Sequence, residues 1–578
     1  MRSLTSLQKS HKNSATAIPI NVLKIELPAP LGTRYYSDRD LTIGSLTVVG
    51  KVAGWGEFSF SDAATRSTCT ITFNDPDRSL LNDLSSVEWQ GSNAVLYQYW
   101  QGLDETELLP IFTGILTGQL RWLENERQLQ IELIDIGEKF NKEVGTIVSR
   151  GNCPKIDNSA EGSIIPIVYG KYVKRIRAVP VKVGRRGRLL APVDENATTW
   201  YVEGFEDLSG EIWLRCGNEI VKGTINGTTL SNVERGAVLA TGRVTEMTEL
   251  QSFKSDLTNG FWGQWVGCWV RMNVPTIGSG LPMASMPNVR KGIGYSTSQA
   301  RRITGYDPAN GEITWAGGPF IRLQDGGVQT ETVFGPYHIA IGVNYKAPKG
   351  KKFDIITKPE AHSAGDEVVE YLTDGVVYAV ADHPVSEVLS VWVRGSLPKG
   401  VPVGELGLPD AEVILPLYNA RGEFWQNLRQ AMVQERALKG QTQQWFRLPA
   451  TKYKVNKNDT TSVPGIGHAI TTITLPSVPS LFHDIDCSSD EILVDVEGKE
   501  DGGTVLQNPV DVIRDLLTSN GVDTAYLDTS LTGTAVKNRI LHLRFALAIT
   551  ERRRLLDIVS WLARSARCRL VITAEGKF

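Results

Sequence analysis

The chain has 578 residues, a formal net charge of −3 and a hydrophobic content of 41%, which is enough to build several globular cores. No run of about 18 apolar residues occurs, so no transmembrane helix is expected, and the near-neutral charge gives no overall sign of binding to nucleic acid or membrane. The 55 glycines, the 14 tryptophans and many runs rich in Val, Thr and Tyr favour β-structure.

Residues 1–19 are predicted to form a flexible N-terminal arm. They carry Arg2, Lys9 and Lys12 without an acidic residue, and they lack the apolar core of a secretory signal. A segment of this kind cannot bury enough apolar surface to fold alone, so we expect it to order only on a neighbour.

Residues 20–160 are predicted to form an all-β barrel or sandwich. Residues 118–123 and 128–135 have the pattern of a hairpin, and a turn at Asp75 precedes a short helical piece. Residues 136–144 are expected to close the domain with a helical turn. Several short strands at close spacing are typical of barrels and sandwiches.

Residues 161–199 are predicted to be a basic β-connection. The stretch 171–188 holds eight basic residues and no acidic one: Lys171, Lys174, Arg175, Arg177, Lys182, Arg185, Arg186 and Arg188. One interpretation is contact with nucleic acid or with an acidic neighbour. The other is a solvated hairpin face paired with local carboxylates. The lack of an aromatic stacking pattern favours that second interpretation or a protein interface.

Residues 200–345 are predicted to be an inserted β-sandwich-like module. Trp262, Trp265 and Trp269 lie close together, and residues 300–315 form a hairpin pattern that ends at Trp315. Exposed aromatic rings can stack on sugars, which would give a glycan-binding module, whereas tryptophans inside a β-core serve packing alone. We favour the packing interpretation.

Residues 346–405 are predicted to add a β-segment that completes the main body, and residues 406–484 to be a mixed connector. Apolar character is nearly continuous over 376–385 and 387–394, which is typical of strands buried on both faces. Within the connector, residues 420–438 are predicted to form a helix.

Residues 485–578 are predicted to form a C-terminal α+β domain with two helices. Asn508 can cap the first helix, Pro509 suits its first position, and Gly521 provides its stop. The second helix is expected from near Thr550. Its apolar stripe consists of Leu555, Leu556, Val559, Leu562 and Ala566.

The last residues have the pattern of an incomplete hairpin. Residues 568–573 are predicted to be a strand, residues 574–577 a turn, and Phe578 the start of the returning strand. An unpaired strand edge must be covered by a partner or by further chain. We therefore expect a joint here, where a strand after Phe578 or a second chain pairs with residues 568–573.

No catalytic, cofactor-binding or metal-binding residue is predicted, and the chain is not expected to be an enzyme. The seven histidines form no HExxH pair, and no GxSxG elbow or phosphate-binding glycine loop occurs. Asp382 and His383 could seed an acid–base site, but a turn histidine before a proline is the ordinary interpretation. The cysteines lack CxxC spacing and are expected to be free thiols; they are Cys69, Cys153, Cys216, Cys268, Cys487 and Cys568.

Several segments carry a family resemblance. They are residues 495–498, 508–517, 544–545, 555–559, 568–570 and 576–578 near the C-terminus, and residues 112–116, 165–170 and 382–395 earlier in the chain. The C-terminal set resembles part of the hub proteins at the tail tip or baseplate of tailed bacteriophages and gene transfer agents. The run 112–116, Phe-Thr-Gly-Ile-Leu, is similar to the barrel that such hubs share with tail-tube proteins. The fold implied is mainly β, with tube-like barrels and a helix-containing hub domain.

The resemblance implies a structural virion protein that forms the hub at the distal end of a phage tail, including part of the channel for DNA ejection. Hubs of this kind are usually homotrimers in which each chain contributes two tube-like barrels, so that three chains match a six-fold tube. The implied partners are the tail tube or distal tail ring, a central fibre or spike, the tape-measure protein and a second chain completing the C-terminal hairpin. DNA would pass only transiently, and assembly would occur in the bacterial host cytoplasm.

A different class of protein is also consistent with the sequence. A soluble multidomain carbohydrate-binding or carbohydrate-active β-protein would line a groove with the tryptophans of 261–269 and with Trp315. Burial of these tryptophans is the feature that separates the two hypotheses.

Overall fold

A computed structural model of the chain describes residues 4–13, 18–57, 67–260, 264–273, 298–316, 320–323, 342–345, 349–395, 444–448, 450, 453–463, 465–477 and 492–578. Strands make up 45% and helices 14%, which confirms the prediction of a multidomain, mainly β protein with a smaller helical part. The helix predicted at 420–438, Trp262 and Cys487 lie outside the described residues. Among the helices of the described residues, none has the length and apolar character needed to cross a membrane.

Two compact units make up the chain. The first comprises Met1–Gly145, Tyr169–Lys171 and Glu500–Phe578. The second comprises Thr146–Val168 and Tyr172–Lys499.

The N-terminal part of the first unit is a nine-stranded sheet with two short helices. Its elements are α1 (Ser6–Lys12), β1 (Pro19–Glu26), β2 (Thr33–Ser37), β3 (Leu41–Ile43), β4 (Leu46–Gly50), β5 (Val52–Trp55), β6 (Thr68–Asn74), α2 (Ser79–Ser85), β7 (Asn93–Trp100), β8 (Leu109–Leu123) and β9 (Gln128–Asp135). The strand order is β3-β4-β2-β1-β7-β8-β9-β6-β5. The predicted barrel or sandwich is thus a sheet ending at β3 and β5 in the described residues, and the segment 58–66 after β5 lies outside them.

Alternating side chains give this sheet its buried face. In β6, Cys69, Ile71 and Phe73 are buried while the residues between them are exposed or half-buried. Successive side chains of a strand point to opposite faces, so the alternation places all three in one core. Leu80 and Leu84 of α2 pack into the same core. The predicted hairpin is confirmed by the antiparallel pairing of β8 with β9.

The turn before α2 is fixed by Asp75, whose side chain is fully buried. Its Oδ1 accepts a hydrogen bond from the amide of Leu80 and its Oδ2 from the amide of Leu81, both at 3.0 Å. These amides belong to the first turn of the helix, where backbone donors lack partners within the helix. The predicted turn and short helix are therefore confirmed.

The second unit contains two closed barrels and two four-stranded sheets. The strands from the unit boundary onward are β10 (Ile167–Tyr169), β11 (Lys171–Arg177), β12 (Val179–Lys182), β13 (Arg186–Leu189), β14 (Trp200–Glu203), β15 (Ser209–Cys216), β16 (Glu219–Asn226), β17 (Thr229–Glu234), β18 (Val238–Glu249), β19 (Ser252–Ser255), β20 (Trp269–Asn273), β21 (Ser298–Asp307), β22 (Glu312–Trp315), β23 (Phe320–Leu323), β24 (Gly342–Tyr345), β25 (Lys352–Ile356), β26 (Glu367–Glu370), β27 (Val376–Ala381), β28 (Glu387–Gly395), β29 (Gln444–Leu448), β30 (Lys454–Asp459), β31 (Ile470–Leu475) and β32 (Ile492–Glu497).

The first barrel has the order β13-β14-β17-β16-β15-β26, and the second has the order β18-β19-β22-β21-β20-β25. The first barrel closes because β26 pairs with both β13 and β15. The second closes because β25 pairs with both β18 and β20. The structure thus differs from the single sandwich-like module predicted for 200–345. Alternation is the same in barrels and sandwiches, and the closing strands lie beyond the predicted module.

The other two sheets have the orders β11-β32-β28-β29 and β12-β27-β31-β30. Strand β27 is buried along almost its whole length, as its apolar sequence predicts. In the central strand β28, Val388, Val391 and Val393 are buried, while Trp392 is half-buried. In β27 and β28, the nearly continuous apolar sequence therefore corresponds to strands that are buried in the protein.

The C-terminal part of the first unit contains short strands and helices. They are β33 (Glu500–Asp501), β34 (Thr504–Val505), α3 (Pro509–Ser519), α4 (Thr529–Thr532), α5 (Ala535–Arg539), β35 (Leu547–Ile549) and α6 (Leu555–Ser565). The described residues also contain the short 3-10 helices Glu105–Glu107, Ile136–Phe140, Asn158–Ala160 and Thr524–Tyr526. The second of these confirms the predicted closing helical turn.

Helix α3 forms as its sequence predicts. The side chain of Asn508 accepts a hydrogen bond from the amide of Val510 at 3.0 Å, and Pro509 occupies the first helical position. Gly521 follows the helix with a left-handed φ of +89°. A side-chain cap, a proline that needs no donor and a glycine stop all act within one helical turn.

Helix α6 begins later than predicted, at Leu555 and not near Thr550. The residues before it are held in extended pairing: the amide of Val144 donates to the carbonyl of Arg553, and the amide of Leu555 donates to that of Lys142. This pairing delays the first helical turn. The predicted apolar stripe is confirmed, since all its members are buried; they are Leu555, Leu556, Val559, Leu562 and Ala566.

The segment 568–573 is not a strand, which corrects the prediction. Arg567 has a left-handed φ of +57°, and the amide of Cys568 bonds back to the carbonyl of Ala563 at 2.8 Å. This helix end uses the amide of Cys568, which a strand beginning at this residue would need for pairing.

The predicted turn at 574–577 is present, because the amide of Thr573 bonds to the carbonyl of Lys577 at 2.7 Å. Phe578 is buried, and its amide donates to the carbonyl of Tyr526 at 2.8 Å. Its own carbonyl accepts from the amide of Asp528 at 2.9 Å. Phe578 therefore pairs with the 526–528 segment and not with residues 568–573.

Candidate functional site

In the turn that contains Asp382 and His383, both side chains make hydrogen bonds that hold the local structure. Nδ1 of the buried His383 lies 2.8 Å from the carbonyl oxygen of Pro384, and Nε2 lies 3.0 Å from the amide nitrogen of Val168. Nδ1 therefore donates its proton to the carbonyl, and Nε2 accepts from the amide. Asp382 contacts a different histidine, His468, whose Nε2 lies 2.9 Å from its Oδ1. This geometry fits a turn histidine with a structural role, because both ring nitrogens of His383 bond to backbone groups and Asp382 bonds to His468.

Two of the tryptophans singled out in the sequence are core residues of the second barrel. Trp265 is 7% exposed and Trp315 is 4% exposed. The ring of Trp315 lies 5.5 Å from that of Phe253. A ring enclosed in this way cannot stack on a sugar. Trp269 is half-buried in β20, and Trp262 lies outside the described residues.

The second half of the basic stretch 171–188 is mostly paired with local carboxylates. The ion pairs are Lys182 with Asp374, Arg185 with Asp207, and Arg186 with Glu367. Arg185 makes a second contact with Asp207 at 2.9 Å, so this pair is bidentate. These contacts agree with the solvated-face interpretation for this half.

The first half of the basic stretch lies on β11, which is an edge strand of its sheet among the described residues. Arg175 stacks its guanidinium 4.0 Å from the ring centre of Trp392, and its amide donates to Asp495 at 3.1 Å. Three other exposed cations of β11 have no carboxylate partner in the described part of the chain; they are Lys171, Lys174 and Arg177. Arg188, on β13, is also exposed and has no carboxylate partner there. Strand β11 therefore presents a basic edge. Such charges discourage non-specific strand pairing and complement an acidic partner.

In the first unit, the segment 112–116 lies against the turn between the segments 568–570 and 576–578, all three of which carry the family resemblance. The hydroxyl of Thr113 donates a 2.8 Å hydrogen bond to the carbonyl of Ala574, 461 positions away in sequence. A Cβ on Gly137 would overlap the end of Ile572 and approach Leu556 to 3.0 Å. The absence of a side chain at Gly137 thus permits close packing. We call this set of contacts the terminal contact.

Aromatic packing extends the terminal contact. The ring centre of Phe140 lies 5.1 Å from that of Tyr526 and 6.1 Å from that of Phe578, both in edge-to-face arrangements. Such pairs add about 0.5–1.5 kcal/mol beyond area burial. The C-terminal segment is therefore an integral part of the first unit.

A pocket of about 180 Å³ lies in the C-terminal part of the first unit. Val510 and Ile513 of α3, Leu570 and Val571 after α6, and Phe578 are among its lining residues. Val571 is 41% exposed, so the lining includes apolar surface in contact with solvent. The segment 568–573 contributes part of the pocket wall, and the pairing partner predicted for that segment stays a prediction.

The first barrel contains a buried ionic cluster that no local motif indicates. Glu219 is fully buried, and Nε and Nη2 of Arg235 each lie 2.7 Å from one of its carboxylate oxygens. Nε2 of His362 lies 3.0 Å from Oε2 of Glu219. Burial raises the pKa of Glu219, but the hydrogen bonds with His362 and Arg235 outweigh it and lower that pKa below its usual value. The carboxylate is therefore ionised at neutral pH.

Cys216 and Asp366 lie beside His362. The thiol, the imidazole and the carboxylate place one ligand atom each within 4.8 Å of one another, so these residues could hold a metal ion. No local motif joins Cys216 to the other two. The cue that the sequence offers is the short spacing between His362 and Asp366, which is common by chance.

The five described cysteines are free thiols, as predicted: Cys69, Cys153, Cys216, Cys268 and Cys568. Burial raises the pKa of Cys69 to about 12, that of Cys153 to about 11 and that of Cys268 to about 12. Thiols with such pKa values are protonated at neutral pH and are poor nucleophiles.

No protein-family model matches this chain, and no curated protein matches it in sequence. Among solved structures, the chain is similar to one from the virion of a native gene transfer agent particle, with a TM-score of 0.22 and 10% sequence identity. The match covers 63% of this chain and 84% of that chain. This weak likeness is to a virion component, and its TM-score is too low to carry an argument about fold or role.

Proposed function

We propose that this chain is a structural virion protein that forms the hub at the distal end of a phage-like tail. In this proposal it works as a homotrimer and joins the tail tube or distal tail ring to a central fibre or spike and to peripheral receptor-binding proteins. It contacts the tape-measure protein and lines part of the channel for DNA ejection. It assembles in the cytoplasm of a bacterial host and performs no catalysis.

The observation that carries this proposal is the terminal contact. Residues 112–116 resemble the tube-like barrel of hub proteins, and the C-terminal residues resemble the hub domain. Thr113 bonds directly to Ala574, and α6 packs close to Gly137. A resemblance divided between distant parts of a sequence gains support when both parts fold into one compact unit.

In this proposal the inserted region, which contains the two barrels, has an outward role that follows from the resemblance. The barrels are built from strands between Arg186 and Glu370, and most of this region is not covered by the resemblance. Each barrel has its own hydrophobic core, which includes Trp200 in the first and Phe253 in the second. We assign these barrels to contacts with neighbouring tail-tip proteins or with host glycans.

The basic edge of β11 is assigned to an acidic protein neighbour in the assembly. Lys174 and Arg177 are exposed and have no carboxylate partner among the described residues, so their charges are available to a partner. Exposed charges of this kind act mainly on the rate and specificity of association. Their contribution weakens with added salt.

The direct test is to locate the chain in tailed particles. Antibodies against the purified protein, visualised with gold in electron microscopy, should label the distal tip of the tail. Mass photometry of the purified full chain should give a species of three times 63.6 kDa. Labelling of the capsid, or no labelling of particles, would overturn the proposal. A monomer that binds a defined sugar on a glycan array would favour the carbohydrate-binding alternative.

A further inference from the structure

The end of β15 in the first barrel brings three metal-ligating side chains together. Cys216 is the last residue of β15, and His362 and Asp366 lie shortly before β26. Cys216 is opposite Val368 in the pairing of β15 with β26. The backbone itself therefore sets the thiol beside these residues. One ligand atom from each of the three side chains lies within 4.8 Å of the other two.

His362 is held in place by both its backbone and its ring. Its backbone amide and carbonyl each bond to Val193 at 3.0 Å. Nε2 of its ring lies 3.0 Å from Glu219, which leaves Nδ1 as the nitrogen available to an ion. A ring fixed in this way needs little reorganisation on metal binding.

Glu219 is positioned to orient the histidine and not to bind the ion. Arg235 contacts both of its oxygens at 2.7 Å, and the amides of Gly236 and Glu360 donate to it at 3.3 and 3.1 Å. Its oxygens are thus committed to the protein. Metal-ligating histidines characteristically donate their other ring N–H to a carboxylate, and this is the contact that Glu219 makes.

Asp366 supplies a carboxylate from the exposed side. One of its oxygens accepts a hydrogen bond from the amide of Ser363 at 2.8 Å, which leaves the other for an ion. Zinc bonds of about 2.0–2.3 Å place tetrahedral ligand atoms about 3.5 Å apart. Because the three ligand atoms lie within 4.8 Å of one another, binding requires each pair to close by at most about 1.3 Å. The exposed side chain of Asp366 can supply its share of this movement.

We propose that Cys216, His362 and Asp366 bind a Zn²⁺ ion, with Glu219 fixing the histidine. Thiolate, imidazole and carboxylate together form a donor set that suits Zn²⁺, whereas Mg²⁺ and Ca²⁺ prefer oxygen donors alone. Water takes the fourth position on the side of Asp366. The ion ties the end of β15 to the segment leading into β26, the strand that closes the barrel.

The test uses the purified full chain, stripped with a chelator and titrated with Co²⁺ or Zn²⁺. We expect one ion per chain and a thiolate-to-cobalt charge-transfer band in the near ultraviolet. Cys216→Ser should abolish the band, and Asp366→Asn should weaken Zn²⁺ affinity by about tenfold or more. Cys69→Ser, which changes a buried cysteine of the nine-stranded sheet, should leave both properties unchanged.

Absence of the band in the wild-type protein overturns the proposal, and so does a band that persists in Cys216→Ser. Asp366→Asn decides the question if Cys216→Ser fails to fold, because Asp366 is exposed and asparagine can still accept the bond from Ser363. If Asp366→Asn then binds Zn²⁺ as tightly as the wild-type protein does, the proposed site is wrong. Zn²⁺ should also raise the melting temperature of the wild type and of Cys69→Ser more than that of Asp366→Asn.

Discussion

Arg235 holds Glu219 through two parallel contacts, from Nε to Oε1 and from Nη2 to Oε2, each 2.7 Å long. Both side chains are buried in the first barrel, with exposures of 8% and 0%. Removal of one partner of such a pair leaves an uncompensated buried charge, which costs far more than loss of a surface pair.

Arg235→Met is therefore expected to destabilise the first barrel by about 3–5 kcal/mol. Hydrogen exchange of the amides in β16 and β17 should report the loss locally. The control Glu211→Gln removes one partner of the exposed pair with Lys222 in the same barrel, where Nζ and Oε2 lie 2.9 Å apart. It should change stability by less than about 1 kcal/mol. Similar effects of the two substitutions would contradict this account.

A pair of glycines separates backbone strain from steric overlap. Gly170 and Gly32 have nearly the same left-handed φ, +66° and +67°. A Cβ on Gly170 would overlap the carbonyl oxygen of Phe545, whereas a Cβ on Gly32 would meet nothing within 4 Å. Gly32→Ala should cost about 1–2 kcal/mol from the conformation alone. Gly170→Ala should cost about 1–3 kcal/mol more than Gly32→Ala because of the added steric overlap. Denaturant unfolding of both variants measures the difference.

The hydrogen bond from Thr113 to Ala574 can be tested by two matched substitutions. Thr113→Val removes the hydroxyl at nearly constant volume and should destabilise the terminal contact by about 1 kcal/mol. Thr113→Ser keeps the hydroxyl donor, so protection against hydrogen exchange should stay close to that of the wild type. Hydrogen exchange of the amides of Thr573 and Gly576 is the measurement. Unchanged exchange in Thr113→Val would show that this bond does not hold the C-terminal turn in place.

His383 is predicted to be needed for stability. His383→Phe leaves the buried amide of Val168 without its acceptor, so a loss of about 1–3 kcal/mol is expected. His468→Gln changes a histidine whose side chain is 48% exposed, and its effect should be smaller. Thermal unfolding of both variants decides the matter. A His383→Phe protein as stable as the wild type would show that the bond from Val168 does not stabilise this turn.

Asp459 should make stability depend on pH in acid. Burial raises its pKa, but hydrogen bonds from Ser462, Thr472 and the amide of Thr461 outweigh burial and lower the pKa below its ordinary value of 3.8. A lowered folded-state pKa contributes stability above the unfolded-state value, and that stability is lost as the pH falls through the folded-state pKa. Asp459→Asn should therefore be less stable than the wild type at pH 7. The difference should shrink below about pH 3.8 in unfolding curves; a constant difference would exclude this contribution.

Local signals in the sequence predicted the structures that depend on neighbouring residues. Asn508 and Gly521 mark the ends of α3 because a cap acts within one turn of a helix. The alternation of Cys69, Ile71 and Phe73 gives β6 one buried face, and this pattern also depends only on residues close together in sequence. The start of α6 was misplaced because the residues before Leu555 pair with residues 142–144.

The sequence by itself determined the mainly β class, the capped C-terminal helix and the free thiols, and it favoured a packing role for Trp265 and Trp315. Only the tertiary structure decided that β25 and β26 close the two barrels, that Thr113 meets Ala574 and that Cys216 lies beside His362. Each of these relationships joins distant residues. Backbone pairing is nearly independent of side-chain identity, so an alternating pattern fits many partners until packing of the core selects one.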